Sequence, residues 1–182
     1  RSELKENDYN YFSDEERSEI VGKLYPDTNL LQQSEPMLTT ARPNVVLIIL
    51  ESFGRSVTDE SIEGKAVTPN LNALKSEGIW FENIMANSYR TDRGTVAIMS
   101  GYPTHPIVSI MKYPQKAQSL PSIAGSLKEQ GYTTTFTYGG DANFTNTISY
   151  LYGTGVERVT DQRNLSFDAP PAQWGYDDRL VC

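Results

Sequence analysis

The sequence predicts an α/β fold in which a largely parallel sheet is flanked by helices. Three observations carry this expectation. The unbroken β-branched and leucine run Val45 to Leu50 has the character of a strand buried on both faces. Downstream, helical segments recur with a cap residue, an early proline and a terminal glycine. Further strand-like runs lie between those segments, at the spacing of βαβ units.

Residues 1–42 differ from the remainder and read as an arm or linker that packs on a domain at 43–182. Ser13-Asp-Glu-Glu16 fits a capping box and opens a helix through about Leu24, with Ile20, Val21 and Leu24 as its apolar stripe. Pro26 to Pro43 is polar and loop-like. A disordered tail is the alternative, and the tyrosines at 9, 11 and 25 count against it. In the domain, Thr68 to Gly78 predicts a helix with Thr68 as N-cap and Pro69 in its first turn. Ile79 to Ile84 alternates as a second strand. Thr91 or Asp92 caps a helix through about Met99. Ser119 to Gly131 repeats the cap, proline and glycine pattern, Tyr132 to Tyr138 is a third strand, Ala142 to Leu151 a weaker helix, and Val156 to Val159 a short strand.

Composition narrows the function. The 182 residues carry a net charge of -7, which argues against a nucleic-acid binder because phosphate contacts need a basic surface. No stretch approaches the roughly twenty apolar residues of a membrane span, and the first residues are too polar for a signal peptide. Cys182 is the single cysteine and His105 the single histidine, so a metal site built from this chain has to rely on oxygen ligands. The apolar ending Leu180-Val181-Cys182 is expected to be a cut within an element, which makes the chain a fragment.

In open α/β sheets, ligands bind beyond the carboxyl ends of the strands. Glu51 follows the first predicted strand, Gly139-Gly140-Asp141 follows the third, and Thr91 leads a helix after the second. A helix N-terminus favours an anionic group. A divalent cation at Glu51 would lower the pKa of the Thr91 hydroxyl and neutralise charge on a transferred group. Arg90 and Arg93 flank the turn and are positioned to hold phosphate oxygens. Each residue also has a plainer explanation: Glu51 as a solvated strand end, Thr91 or Asp92 as an N-cap, Gly139 to Asp141 as a turn, and Arg90 and Arg93 as surface charges. His105, in Pro103-Thr-His-Pro106, reads as a structural or rim residue of a rigid loop.

Six segments together resemble the lipoteichoic acid synthase-like branch of the sulfatase and alkaline phosphatase superfamily. They are Asn44 to Phe53, Val67-Thr-Pro-Asn-Leu-Asn-Ala-Leu74, the Arg90-Thr-Asp turn, Ser100-Gly-Tyr-Pro103, Ser119-Leu-Pro121, and Gly131-Tyr132 leading to Gly140-Asp141. The resemblance implies an alkaline phosphatase-like fold, present here as its amino-terminal part. It implies that Glu51 binds a divalent metal, expected to be Mn2+, that Thr91 is both nucleophile and metal ligand, and that Asp141 belongs to the substrate pocket. It further implies phosphoglycerol-type transfer from a lipid donor through a covalent threonine intermediate. The domain would stand at the extracytoplasmic face of a bacterial inner membrane, tethered through residues 1–42 to a membrane region upstream. Threonine, where sulfatases use a modified cysteine or serine, argues against sulfate esters. The family's Asp-His metal pair and a further histidine lie later in the chain than Cys182, so the fragment is expected to be inactive alone. The family's pocket histidine is Gly139 here, and its pocket tryptophan and arginine fall on Asn146 and Ile148. A phosphoethanolamine transferase, a sulfatase-like hydrolase and a non-catalytic binder of anionic glycans or lipids are the alternatives.

Overall fold

The computed structural model describes residues 11–24 and 38–181, in two compact units, residues 1–47 and 48–182. Most of the predicted loop at 26–43, with Tyr9, Tyr25 and Cys182, lies outside the described residues.

In the first unit, helix α1 (Asp14–Leu24) starts at the predicted capping box. The Glu16 amide donates to Ser13 Oγ at 3.2 Å, and the Ser13 amide donates to Glu16 Oε2 at 2.8 Å. Two first-turn donors thus find partners. Arg17 pairs with Asp14, and Lys23 with Glu19, one turn apart on the same face. No residue of α1 is buried.

The second unit begins with the one-turn helix α2 (Arg55–Thr58) and a hairpin, β1 (Ser61–Ile62) and β2 (Lys65–Ala66), paired antiparallel. Glu63 and Gly64 connect them, both at positive φ (51° and 77°), which matches the twist of a two-residue hairpin loop. Helix α3 (Pro69–Glu77) follows with Pro69 at its start and Gly78 at its end, as predicted. Thr68 stands at the N-cap position, but its hydroxyl donates to the Thr58 carbonyl at 3.3 Å instead of capping.

Helix α4 (Thr91–Ser100) contributes Val96 and Met99 to the core. A 3-10 turn at Ile110–Lys112 brings in Met111, and the short helix α5 (Pro114–Ala117) brings in Ala117. Helix α6 (Ile123–Glu129) contributes Ala124. Its N-cap is Ser122, whose Oγ accepts from the Gly125 amide at 2.8 Å. The predicted start at Ser119 is therefore three residues early, because Pro121 precedes the cap instead of following it. Gly131 ends this segment at φ 82°, a left-handed conformation that glycine adopts without a Cβ penalty.

The parallel sheet consists of β3 (Thr135–Thr137) and β4 (Arg158–Thr160), in the register Thr135 to Arg158 and Thr137 to Thr160. The crossover between them passes through a 3-10 turn at Phe144–Asn146 and helix α7 (Thr147–Gly153). Thr145 and Asn146 take left-handed backbone there, which breaks the predicted helix from Ala142 into two pieces. Tyr150 and Leu151 of α7, with Val156 and Val159, complete the core, and the Tyr150 hydroxyl shares a 2.6 Å hydrogen bond with Ser100 Oγ. A turn of helix, α8 (Asp178–Val181), closes the described chain.

Two predicted strands are corrected. Val45 to Leu50 and Ile79 to Ile84 are not paired into any sheet, and their side chains are largely exposed: Val46 is 82% and Ile84 75% accessible. The reason is that no partner strand stands beside them among the described residues. A lone strand leaves its backbone groups to water and covers neither face, so apolar composition alone does not make it a strand. Among the described residues the parallel sheet has two strands.

Leu151 is fully buried at the centre of the packed helices. Leu151→Ala is expected to destabilise the second unit by about 2–5 kcal/mol, read as a lower urea midpoint at unchanged slope.

Candidate functional site

The sequence places Thr91 at the first residue of α4, where Arg90 is still extended (φ -110°, ψ 131°) and serves as the N-cap residue without a side-chain cap. The N-cap role considered for Thr91 and Asp92 is thereby overturned. Thr91 Oγ1 instead donates to Glu51 Oε1 at 2.6 Å, across forty residues of sequence. Glu51 sits on a sharp turn, and the next residue, Ser52, has φ 58°. A non-glycine residue in that region costs on the order of 1 kcal/mol and is held only where its surroundings fix it.

Glu51 and Thr91 therefore present two hard oxygen donors side by side at the amino-terminal end of a ten-residue helix. Carboxylate and hydroxyl oxygens suit a divalent cation such as Mg2+ or Mn2+. The donor type fits such an ion. No group of three or more His, Cys, Asp or Glu side chains that could hold a metal occurs among the described residues.

The two arginines are engaged elsewhere. Arg93 donates from Nη1 and Nη2 to the carbonyls of Pro106 and Ile107 at 2.6 and 2.7 Å, and its guanidinium lies 5.7 Å from the centre of the Tyr89 ring. Here it is a clamp on the 106–107 loop, not an open phosphate hook. Arg90 Nε stands 3.9 Å from Asp92 Oδ1, and the Asp92 side chain is almost entirely covered. His105 belongs to the clamped loop. Its Nδ1 accepts from the amides of Ile107 and Val108 at 3.1 Å each, so the ring organises the turn.

Asp141 follows β3, and its Oδ1 accepts from the Asn143 amide at 2.9 Å, an Asx turn. The preceding glycines are required by close packing. A Cβ on Gly140 would lie 2.8 Å from the Trp174 carbonyl oxygen and from the Tyr138 ring. One on Gly175 (φ 125°) would lie 2.3 Å from the Gly139 carbonyl oxygen.

Sequence reasoning missed Tyr138, Asp161 and Arg163. Burial pushes the Tyr138 hydroxyl above its ordinary pKa, and the charges of Glu51 and Asp141 push it further. The phenol thus lies within the field of both carboxylates. Asp161, directly after β4, is completely buried. Burial acts to raise its pKa, but the hydrogen bonds from Arg163 and from the amides of Ala142 and Arg163 outweigh that and hold it below the ordinary carboxylate value. No local pattern marks Asp161 as different from a surface aspartate. Its position two residues beyond a short predicted strand was the available signal.

With this geometry in view, comparison with known proteins identifies the lineage. The sulfatase family profile matches residues 43–181. The chain belongs to the sulfatase family. It is 28% identical over 121 residues to lipoteichoic acid synthase 2 of Bacillus subtilis (strain 168), covering 65% of this chain and 19% of that protein. It is 32% identical over 150 residues to phosphoglycerol transferase I of Xanthomonas euvesicatoria pv. vesicatoria (strain 85-10), covering 77% of this chain and 21% of that one. Among solved structures, an alkaline phosphatase superfamily protein from Vibrio parahaemolyticus is 35% identical and superposes with a TM-score of 0.56, over 60% of this chain and 27% of that chain. The lipoteichoic acid synthase LtaP from Listeria monocytogenes shares the fold with a TM-score of 0.66 at 19% identity, over 72% of this chain and 32% of that chain. The expected lipoteichoic acid synthase-like branch and the partial α/β fold both hold. The chain spans about a fifth of the length of these curated sequence relatives.

Two outcomes follow from the site's construction. The Thr91–Glu51 hydrogen bond is exposed, so Thr91→Val is expected to change folding stability by less than about 1 kcal/mol in urea unfolding. The lowered pKa of Asp161 means that the unfolded chain binds its proton more tightly. The stability it contributes is present above the ordinary carboxylate range and is lost as pH falls through its own lower value. The Ala142 amide resonance is expected to report this as a shift on acid titration, abolished in Asp161→Asn.

Proposed function

We propose that this chain is the amino-terminal part of the catalytic domain of a metal-dependent transferase or hydrolase of phosphate esters. Its reaction would move a phosphoglycerol-type group from a lipid donor through a covalent Thr91 intermediate. The observation that carries this reading is the 2.6 Å contact between Thr91 Oγ1 and Glu51 Oε1 at the start of α4. A nucleophile needs a group to orient it and a place where developing negative charge is stabilised, and this corner offers both.

Glu51 holds the Thr91 hydroxyl in a single orientation through the proton they share. Thr91 loses the proton directed at Glu51 as its Oγ attacks phosphorus, the bond to the diacylglycerol oxygen breaks, and that oxygen leaves with one proton in place of the one Thr91 gave up. An acceptor hydroxyl or water then attacks the phosphorus, frees Thr91 and restores its proton. First-turn amides of α4 face the charge on the phosphoryl oxygens. A divalent cation, Mn2+ by resemblance to the family, would be held by Glu51 and Thr91 and would supply charge neutralisation and an acidified hydroxyl. Asp141 would accept from donor or acceptor hydroxyls at the carboxyl end of β3. Arg90 would approach the ester by leaving Asp92, whereas Arg93 would support it indirectly through the 106–107 loop.

Residues 1–42 would link the domain to an upstream membrane region and hold it at the extracytoplasmic face of a bacterial inner membrane. No helix among the described residues is long and apolar enough to cross a membrane itself. The remaining part of the same domain would supply further metal ligands.

The deciding experiment incubates the full-length protein with Mn2+ and either phosphatidylglycerol or phosphatidylethanolamine vesicles, followed by peptide mass spectrometry. A phosphoglycerol adduct on Thr91, absent in Thr91→Ala, is the expected result, with turnover of the variant reduced by at least about a thousandfold. A phosphoethanolamine adduct would replace the donor, and no adduct with Mn2+ bound would favour the non-catalytic binder. The 182-residue chain alone is expected to bind Mn2+ weakly and to show no turnover.

A further inference from the structure

The second carboxylate of the region raises an electrostatic difficulty. Asp141 is placed to meet substrate hydroxyls, yet a phosphate ester carries negative charge and a bare carboxylate beside it would repel it. The residues after β4 address this difficulty. Asp161 is completely buried, a placement that costs heavily unless the charge is paired and hydrogen-bonded.

Its partners are distributed in an informative way. Asp161 Oδ2 accepts from the Ala142 amide at 3.0 Å, and Oδ1 accepts from the Arg163 amide at 3.0 Å. Arg163 Nε and Nη2 reach Oδ2 at 2.9 and 2.7 Å. The Gln162 amide donates to the Gly140 carbonyl at 3.1 Å. Asp161 and Gln162 thus fasten the loop that carries Asp141, and Arg163 in turn fastens Asp161. The guanidinium, directed at Asp161, also lies within ion-pair distance of the second carboxylate, with Arg163 Nε 3.8 Å from Asp141 Oδ1. One cation therefore stands between a buried carboxylate that fixes it and a half-exposed one whose charge it offsets in part.

We infer that Arg163 is a positioning residue that keeps the buried Asp161 carboxylate on the Ala142 amide, so holding the Gly139–Ala142 loop in register, and that offsets part of the charge of Asp141, so that Asp141 can face an anionic ester. This role rests on the proposed function of the site, and it makes Arg163 a determinant of ester binding, not of bond breaking. A merely structural residue would alter stability without distinguishing the two kinetic constants.

The test uses the full-length protein with Mn2+ and phosphatidylglycerol vesicles. Arg163→Gln is expected to raise KM about tenfold while kcat stays within about twofold. Arg163→Lys, which keeps the charge but not the fork, is expected to recover most of the KM. A glutamine variant with wild-type KM, or one that loses kcat at unchanged KM, would overturn the inference. Absence of turnover by the wild type would count against the proposed function, and the positioning role is then read from amide hydrogen exchange. Exchange at Ala142 in Arg163→Gln is expected to be at least about tenfold faster, with Arg163→Lys as the folded control. Unchanged exchange would sink the role by itself.

Discussion

The parallel pairing of β3 with β4 is the constraint on which the site region depends. Tyr138 continues the ladder by donating its amide to the Thr160 carbonyl at 2.9 Å. That single extra rung sets the next residues of both strands side by side. Gly139 to Ala142 leave one strand where Asp161 to Arg163 leave the other. A parallel pair needs a long crossover, and here the crossover is α7, whose Tyr150 and Leu151 supply much of the buried apolar volume. The same connection therefore packs the core and aligns the two loops. A register slip would separate Asp161 from Ala142 and leave a carboxylate buried without its partners.

Legibility in the sequence followed the range of the interactions. The capping box at Ser13, the Pro69 to Gly78 helix and the β3–α7–β4 unit were readable because each is set by residues close together in the chain. Val45 to Leu50 and Ile79 to Ile84 have strand composition, yet strands exist only as pairs, and composition does not name the partner. The β1–β2 hairpin went unseen for the converse reason. Its turn is Glu63-Gly64, without the Asn or Asp that makes a two-residue loop conspicuous.

At the site, Glu51 and Thr91 were legible as a pair because strand ends and helix starts are where α/β folds place chemistry, and the family resemblance fell on the same two residues. Their contact shows that the hydroxyl is directed at a carboxylate instead of at its own helix. The arginines show the limit of such reasoning. Arg90 and Arg93 are neighbours in sequence and face different tasks, since one lies near Asp92 and the other holds backbone carbonyls thirteen and fourteen residues away. A guanidinium is as well suited to carbonyl oxygens as to phosphate, and only the fold decides between them.

The glycines at 140 and 175 have a consequence for how this region can vary. Each is hemmed in by backbone atoms across the gap, the Trp174 carbonyl for one and the Gly139 carbonyl for the other. Where two side chains compete for space, shrinking one can compensate for enlarging its neighbour. Backbone cannot shrink, so no second substitution relieves a methyl group introduced at either place. The two positions are therefore closed to stepwise drift, and variation among descendants of this chain has to travel through the surfaces around them.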